Sequence, residues 1–321
     1  MDNFDLVIVG AGSAGCIVAN NIINTTNYKV LLIEAGPSDN NPAIQVPLGY
    51  GMTFYHKTMN WNFYSKAQTE LNNREIYYPR GKVIGGSGSI NAMIYARGLK
   101  SDYENWNLNP SWSWKNIKST FNELEYSVNE QQNHLPINKI PVNDVSSQHH
   151  PILDNFFKAA KEFNFDFNKQ LKSTTENQVG HYNVNTYKGF RHSSAKSFLK
   201  PIKNNPNLTI LTKTEVLKLN FKNNKIFSLN IKHKSKIFEV KPKIGTILSS
   251  GSIMTPYLLL KSGIGNPADL NKFNVPVVLN SPHVGKNFQD HLGLDYLYKT
   301  YFPTLNKDLG SWSGTVKSLL Q

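Results

Sequence analysis

Cysteine is all but missing from this 321-residue chain: Cys16 stands alone, so no intrachain disulfide can form. It follows a glycine at the start of a predicted helix, where a small packed core residue is expected rather than a reactive thiol. No apolar run approaches the length of a membrane span. The N-terminus carries Asp2 and Asp5 and only a short apolar run, which does not read as a secretory signal. A cytoplasmic location is expected, with peripheral membrane association left open. Acidic residues are also few, 22 against 35 Lys and Arg, for a formal net charge of +13. That balance can signal nucleic acid or an anionic membrane. Here the excess is lysine scattered among asparagines. The densest cluster, Lys232 to Lys243, alternates with Ile231, Ile237, Phe238 and Val240, as hairpin strands with solvated outer faces do. Nucleic acid is therefore not an expected partner. No internal repeat or long low-complexity segment is present. The length suits a large core and about two domains.

Glycine is abundant in two places. Leu6-Val7-Ile8-Val9 reads as a buried parallel strand and leads into Gly10-Ala11-Gly12-Ser13-Ala14-Gly15, a complete G-x-G-x-x-G. A helix follows through Ile23, and a second apolar run, Val30 to Ile33, ends in Glu34 and Ala35. In this pattern Gly10 permits the tight turn, Gly12 lets backbone approach a pyrophosphate, and Gly15 allows close helix–strand packing. The helix N-terminus favours the phosphates, and Glu34 is placed to accept hydrogen bonds from a ribose. An acid there argues against a ribose 2′-phosphate. These residues alone leave FAD and NAD both open. The second glycine cluster is Gly81-Lys82-Val83-Ile84-Gly85-Gly86-Ser87-Gly88-Ser89-Ile90-Asn91, where backbone can lie flat against a ligand.

Between these clusters, residues 36–80 read as long ordered loops rich in aromatics. Trp114 to Tyr126 is amphipathic, and 151–163 has helical spacing. The polar segment 129–150 reads as an exposed loop. From 208 the pattern turns to strands: Leu208–Leu211, Val216–Phe221, Ile226–Ile231 and Ile237–Val240, with Asn223-Asn224 as a hairpin turn. Thr246-Ile247-Leu248 and the helix after it form a second strand–turn–helix crossing that returns to the opening sheet.

These motifs resemble the glucose–methanol–choline (GMC) oxidoreductases, and look closest to their choline-dehydrogenase-like branch. Residues 81–102 fit the family's first signature and Gly251 to Gly265 the second. Gly189 to Ala195, Asn207 to Leu211 and Val284 to His291 look like further family segments. The resemblance covers nearly the whole chain. It implies an α/β, Rossmann-like FAD-binding fold with a parallel sheet and an antiparallel β-meander, plus a truncated α+β substrate domain. The expected FAD-binding domain is 1–291, with its core in 1–36 and about 190–265, a flavin loop at 80–98 and an inserted helical and loop region at about 99–188. Residues 292–321 would begin an incomplete substrate domain. By the family pattern Val83 and Asn91-Ala92-Met93 lie along the flavin, and Val216 meets the adenine through its backbone. The candidate cofactor set is Gly10, Gly12, Ser13, Ala14, Gly15, Glu34, Ala35, Val83, Gly85, Gly86, Ser87, Asn91, Ala92, Met93, Val216 and Gly251. Some members attach FAD covalently through a histidine matching Asn91; an amide cannot form that bond, so noncovalent FAD is expected. The implied chemistry is oxidation of a small alcohol, with the alcohol carbon giving hydride to the flavin.

The resemblance also implies a catalytic histidine well beyond residue 291, and none of the nine histidines here occupies that position. No catalytic residue and no metal ligand is assigned. Trp312, Val316, Leu319 and Leu320 share one face of a helix at the chain end, which has no partner element and reads as cut. Three readings stay open: the N-terminal piece of an FAD-dependent alcohol dehydrogenase, half of a split enzyme completed by a second polypeptide, and a non-catalytic FAD-binding module. The chain on its own is expected to oxidise alcohols poorly.

Overall fold

Leu6–Val9 (β1), Ser13–Thr25 (α1) and Val30–Ile33 (β2) form the opening β-α-β unit of the computed structural model, which describes residues 3–106, 109–128, 134–170, 178–291, 293 and 295–310. β1 and β2 run parallel with Leu6 opposite Val30. Leu208–Leu211 (β3) adds parallel to β2, although it follows it by some 175 residues of chain. After it come Thr214–Lys222 (β4), Lys225–His233 (β5) and Lys236–Val240 (β6), an antiparallel meander. Asn223 and Asn224, both left-handed at φ 50 and 58, make its first turn, as the hairpin pattern predicts. Gly245–Leu248 (β7) then returns beside β1, giving the order β3-β2-β1-β7. Gly251–Lys261 (α2) follows it.

The short apolar runs are strands because both faces of this sheet are covered. Ile8, Val30, Leu32 and Leu208 point to one side, where α1 and the segment around Phe198, Leu199 and Ile202 pack. Val7, Val9, Leu31 and Ile33 point to the other, against Leu219, Leu229 and Ile231 of the meander and Leu258 of α2. Asn20, buried on α1, donates its Nδ2 to Phe198 O at 2.8 Å, tying helix and segment together.

A second sheet draws on Ile94–Tyr95, Glu125–Val128, Ile140–Asn143 and Asn183–Val184. This corrects two expectations. Part of 129–150 is a strand, not an exposed loop: Pro141 and Val142 are buried, and the strand pairs parallel with 125–128. The inserted region at about 99–188 accordingly holds sheet as well as helices and loops. The helical periodicity of 114–126 and 151–163 appears as Trp114–Leu124 and Ile152–Glu162. The amphipathic pattern at Trp312, Val316, Leu319 and Leu320 lies outside the described residues.

Cys16 is fully buried on α1, with Sγ 3.3 Å from Ala11 O, and burial pushes its thiol pKa up to about 12. We expect no reaction with a soluble disulfide reagent in the native protein and one equivalent after denaturation. Rapid native labelling would contradict this packing.

Candidate dinucleotide site

The turn between β1 and α1 is held from two sides. Ser249 Oγ donates to Gly10 O at 2.7 Å and Ser250 Oγ to Val9 O at 3.0 Å, pinning the turn to the end of β7. On its other side runs the second glycine cluster. Gly85 N donates to Ala11 O at 2.7 Å, and Gly86 lies so close to Gly12 that a Cβ on it would stand 2.7 Å from the Gly12 Cα. The two glycine-rich segments, remote in sequence, are in direct backbone contact. Gly15 serves packing instead: a Cβ there would sit 2.0 Å from Gly10 O.

A cavity of about 620 Å³ opens along this junction. Of the candidate residues, Gly10, Gly12, Ser13, Ala14, Glu34, Ala35, Gly86, Ser87, Val216 and Gly251 line it. The first turn of α1 faces this space with no side-chain cap and no acidic residue, so its amide dipoles are available to an anion. At the far end, the pairing of β4 with β5 shifts register just after Val216. Gly15, Val83, Gly85, Asn91, Ala92 and Met93 are not in the lining. Val83 is fully buried in a cluster with Ile44, Met59 and Ile90. Met93 is buried with φ 62, and its N–H donates to Asn91 Oδ1 at 3.1 Å.

Glu34 does more locally than its motif position suggests. One carboxylate oxygen accepts from Ala11 N at 3.0 Å and the other from Gly36 N at 2.9 Å, so it bridges the turns after β1 and β2. Burial pushes its pKa up to about 7, against the opposing pull of these hydrogen bonds and of Lys82.

Several lining residues had no assigned role in the motif reading. Trp61 and Phe63 stack with ring centroids 5.7 Å apart at one wall. Arg80 is the one Lys or Arg among the described lining residues, and its Nη2 lies 2.9 Å from Asp290 Oδ2. The aromatic density of 36–80 was the available signal for the first pair. The second joins residues 210 positions apart, which no local pattern reveals. Among the described residues no group of acids, histidines and cysteine is placed to hold a metal, and no histidine lines the cavity.

A family model described as GMC oxidoreductase matches residues 4–293. Over 297 residues the chain is 37% identical to an alcohol dehydrogenase (acceptor) of Pseudomonas putida, covering 91% of this chain and 54% of that protein. It is 32% identical over 304 residues to the mitochondrial choline dehydrogenase of Mus musculus, covering 91% and 50%. Among solved structures, pyridoxine 4-oxidase from Mesorbium loti matches with a TM-score of 0.81 at 28% identity, over 87% of this chain and 56% of that one. The chain thus spans about half the length of the curated relatives it matches. The cofactor of this family is FAD. The residues present fit it: an uncapped helix N-terminus for the diphosphate, a carboxylate at the end of β2, and a groove along the junction of the two glycine turns where Gly12 and Gly251 put no side chain. By the match of its fold, its paired glycine turns and most of its length, this chain belongs to the GMC oxidoreductase family of FAD-dependent oxidoreductases.

Proposed function

We propose that this chain is the FAD-holding part of an oxidoreductase that acts on the CH–OH group of a small, choline-like or other primary alcohol. The carrying observation is the contact of Gly12 with Gly86, which makes one continuous groove of two segments distant in sequence. Bound FAD supplies the two-electron acceptor for the alcohol carbon, and the product is a carbonyl compound. The turn at 10–14 and the start of α1 take the diphosphate. Glu34 and the backbone at Val216 take the adenosine end, and the segment 83–93, which reaches the cavity through Gly86 and Ser87, lies along the ring.

FAD is held noncovalently in this reading. By the family pattern Asn91 matches the histidine through which some members attach FAD, an amide is not a nucleophile for that bond, and its Oδ1 already accepts from Met93 N and Arg191 Nη1. The proton of the alcohol needs a base, and no histidine lines the cavity among the described residues. The lining carboxylates, Glu34 and Glu215, belong to the adenosine end. We therefore expect the 321-residue chain to bind FAD yet turn over alcohols slowly, since a missing general base costs about 10²–10⁴ in rate. Among the described residues no helix is long and apolar enough to cross a membrane. The cytoplasm, with peripheral membrane association allowed, is the location we assign.

The test is to purify the chain, record its absorption, and precipitate it with acid. The expected result is a flavin spectrum with all flavin released into the supernatant. Flavin remaining on the precipitated protein would refute noncovalent attachment, and a colourless protein that takes up no added FAD would refute the cofactor assignment. Steady turnover of a primary alcohol by this chain alone would refute the absence of a base.

A further inference from the structure

Arg191 is the largest side chain fully withdrawn from solvent among the described residues, 1% exposed, and it is not part of the cavity wall. Among the described residues its guanidinium meets no carboxylate. Nε donates to Ile44 O at 2.8 Å, Nη1 to Gly88 O at 3.2 Å and Asn91 Oδ1 at 2.7 Å, and Nη2 to Asn91 O at 2.6 Å. Burial pushes its pKa down to about 10, with no neighbouring acid to offset the effect, so it stays charged at neutral pH. The nearest charged groups add to the imbalance. Lys196 Nζ donates to the Arg191 carbonyl at 2.7 Å, Lys200 is close by, and Asp39 is shared between those two lysines. Buried cations are ordinarily paired, because leaving water is costly. Here the compensating partners are carbonyl and amide oxygens, one of them in the turn Gly86–Ser89 and two on Asn91 just after it. That turn has two sides: Gly86 and Ser87 face the cavity, while Gly88 and Asn91 are hydrogen-bonded to the guanidinium.

We infer that Arg191 is a positioning residue for the ring end of the bound FAD: it holds the carbonyls of Gly88 and Asn91 to itself, and stands behind the turn as an unbalanced positive charge that eases electron uptake by the ring. This rests on the reading that the ring lies along 83–93. A purely structural arginine would shape the turn and leave no signature that depends on charge.

The experiment uses the 321-residue chain as wild type, Arg191→Lys and Arg191→Gln. Hydrogen exchange at the amides of Ile90, Asn91 and Met93 is measured before FAD is added, and the midpoint potential of the bound flavin afterwards at pH 6. Both variants should exchange at least ~10-fold faster at these amides, since neither can span the same set of oxygens. The potential should fall in Arg191→Gln and stay near the wild-type value in Arg191→Lys, which keeps the charge. Unchanged exchange in both variants overturns the positioning role. A wild-type potential in Arg191→Gln, or equal shifts in both variants, overturns the role of charge. Should Arg191→Gln not fold, Arg191→Lys is followed from pH 5.5 to 9.5. Its potential should drop more steeply than that of the wild type as the buried lysine loses its proton, and parallel curves overturn the inference. A wild-type chain that takes up no FAD overturns the site assignment first, and the inference with it.

Discussion

Gly86→Ala is expected to abolish stoichiometric FAD uptake in a chain that still folds. Gly86 has φ +58, where a side chain costs about 1–2 kcal/mol. The larger effect is contact: the new Cβ would stand 2.7 Å from the Gly12 Cα, and backbone on both sides must part to relieve it. Parting the two glycine turns widens the groove at the point where the diphosphate is to be gripped by amides of both. We expect FAD affinity to fall by ~100-fold or more, corresponding to about 3 kcal/mol. A fluorescence-quenching titration reads it directly. Gly51→Ala is the control, because nothing lies within 4 Å of the added carbon and its φ is ordinary; its affinity should match wild type. Gly15→Ala separates fold from site. Its Cβ would meet Gly10 O at 2.0 Å inside the β1–α1 junction, so thermal stability should fall together with affinity, by the 1–3 kcal/mol or more typical of overpacking. Wild-type affinity in Gly86→Ala would mean that the two turns do not clasp one ligand.

Glu34→Gln is expected to change both the pH dependence of stability and the affinity for FAD. In the fold the Glu34 pKa is pushed up from 4.5 to about 7. The folded chain therefore holds this proton to higher pH than the unfolded chain does. Its contribution is full below about pH 4.5 and is lost as pH rises through about 7, a swing on the order of 3 kcal/mol. The amide of the variant cannot titrate, so this slope should vanish from its urea midpoints between pH 4.5 and 7. The amide also presents one NH₂ to a backbone donor, Ala11 N or Gly36 N, where the wild type has an oxygen, which costs about 1–3 kcal/mol in a buried setting. FAD affinity should drop about tenfold through loss of the ribose acceptor. Parallel stability curves for the two proteins would show that Glu34 is not held with a raised pKa.

How much was legible in the sequence follows from the range of each interaction. The opening strand, turn and helix were readable because period, glycine spacing and apolar runs are local, and each was found within a residue or two. The meander was readable for the same reason, down to Asn223-Asn224. The strand at 140–143 was not. Its flanks are polar, it contains Pro141, and it exists because 125–128 and Val184 pair with it. Glu34 was legible as an acid near the site, while its bridge between Ala11 and Gly36 depends on how two turns meet. Arg191 lay inside a quoted family segment without a role. Its partners are 100 to 147 residues away, so its burial comes from the tertiary fold and has no local signature. Asp290 reaches Arg80 across a still longer span.

The most direct measurement of the central claim is hydrogen exchange of this chain titrated with FAD. Amides in 11–16, 85–88 and 214–217 should gain protection together, with a single midpoint at one equivalent, and NAD should leave them unchanged. Protection confined to 11–16, or separate midpoints for the two glycine turns, would contradict the picture of one flavin nucleotide held between them.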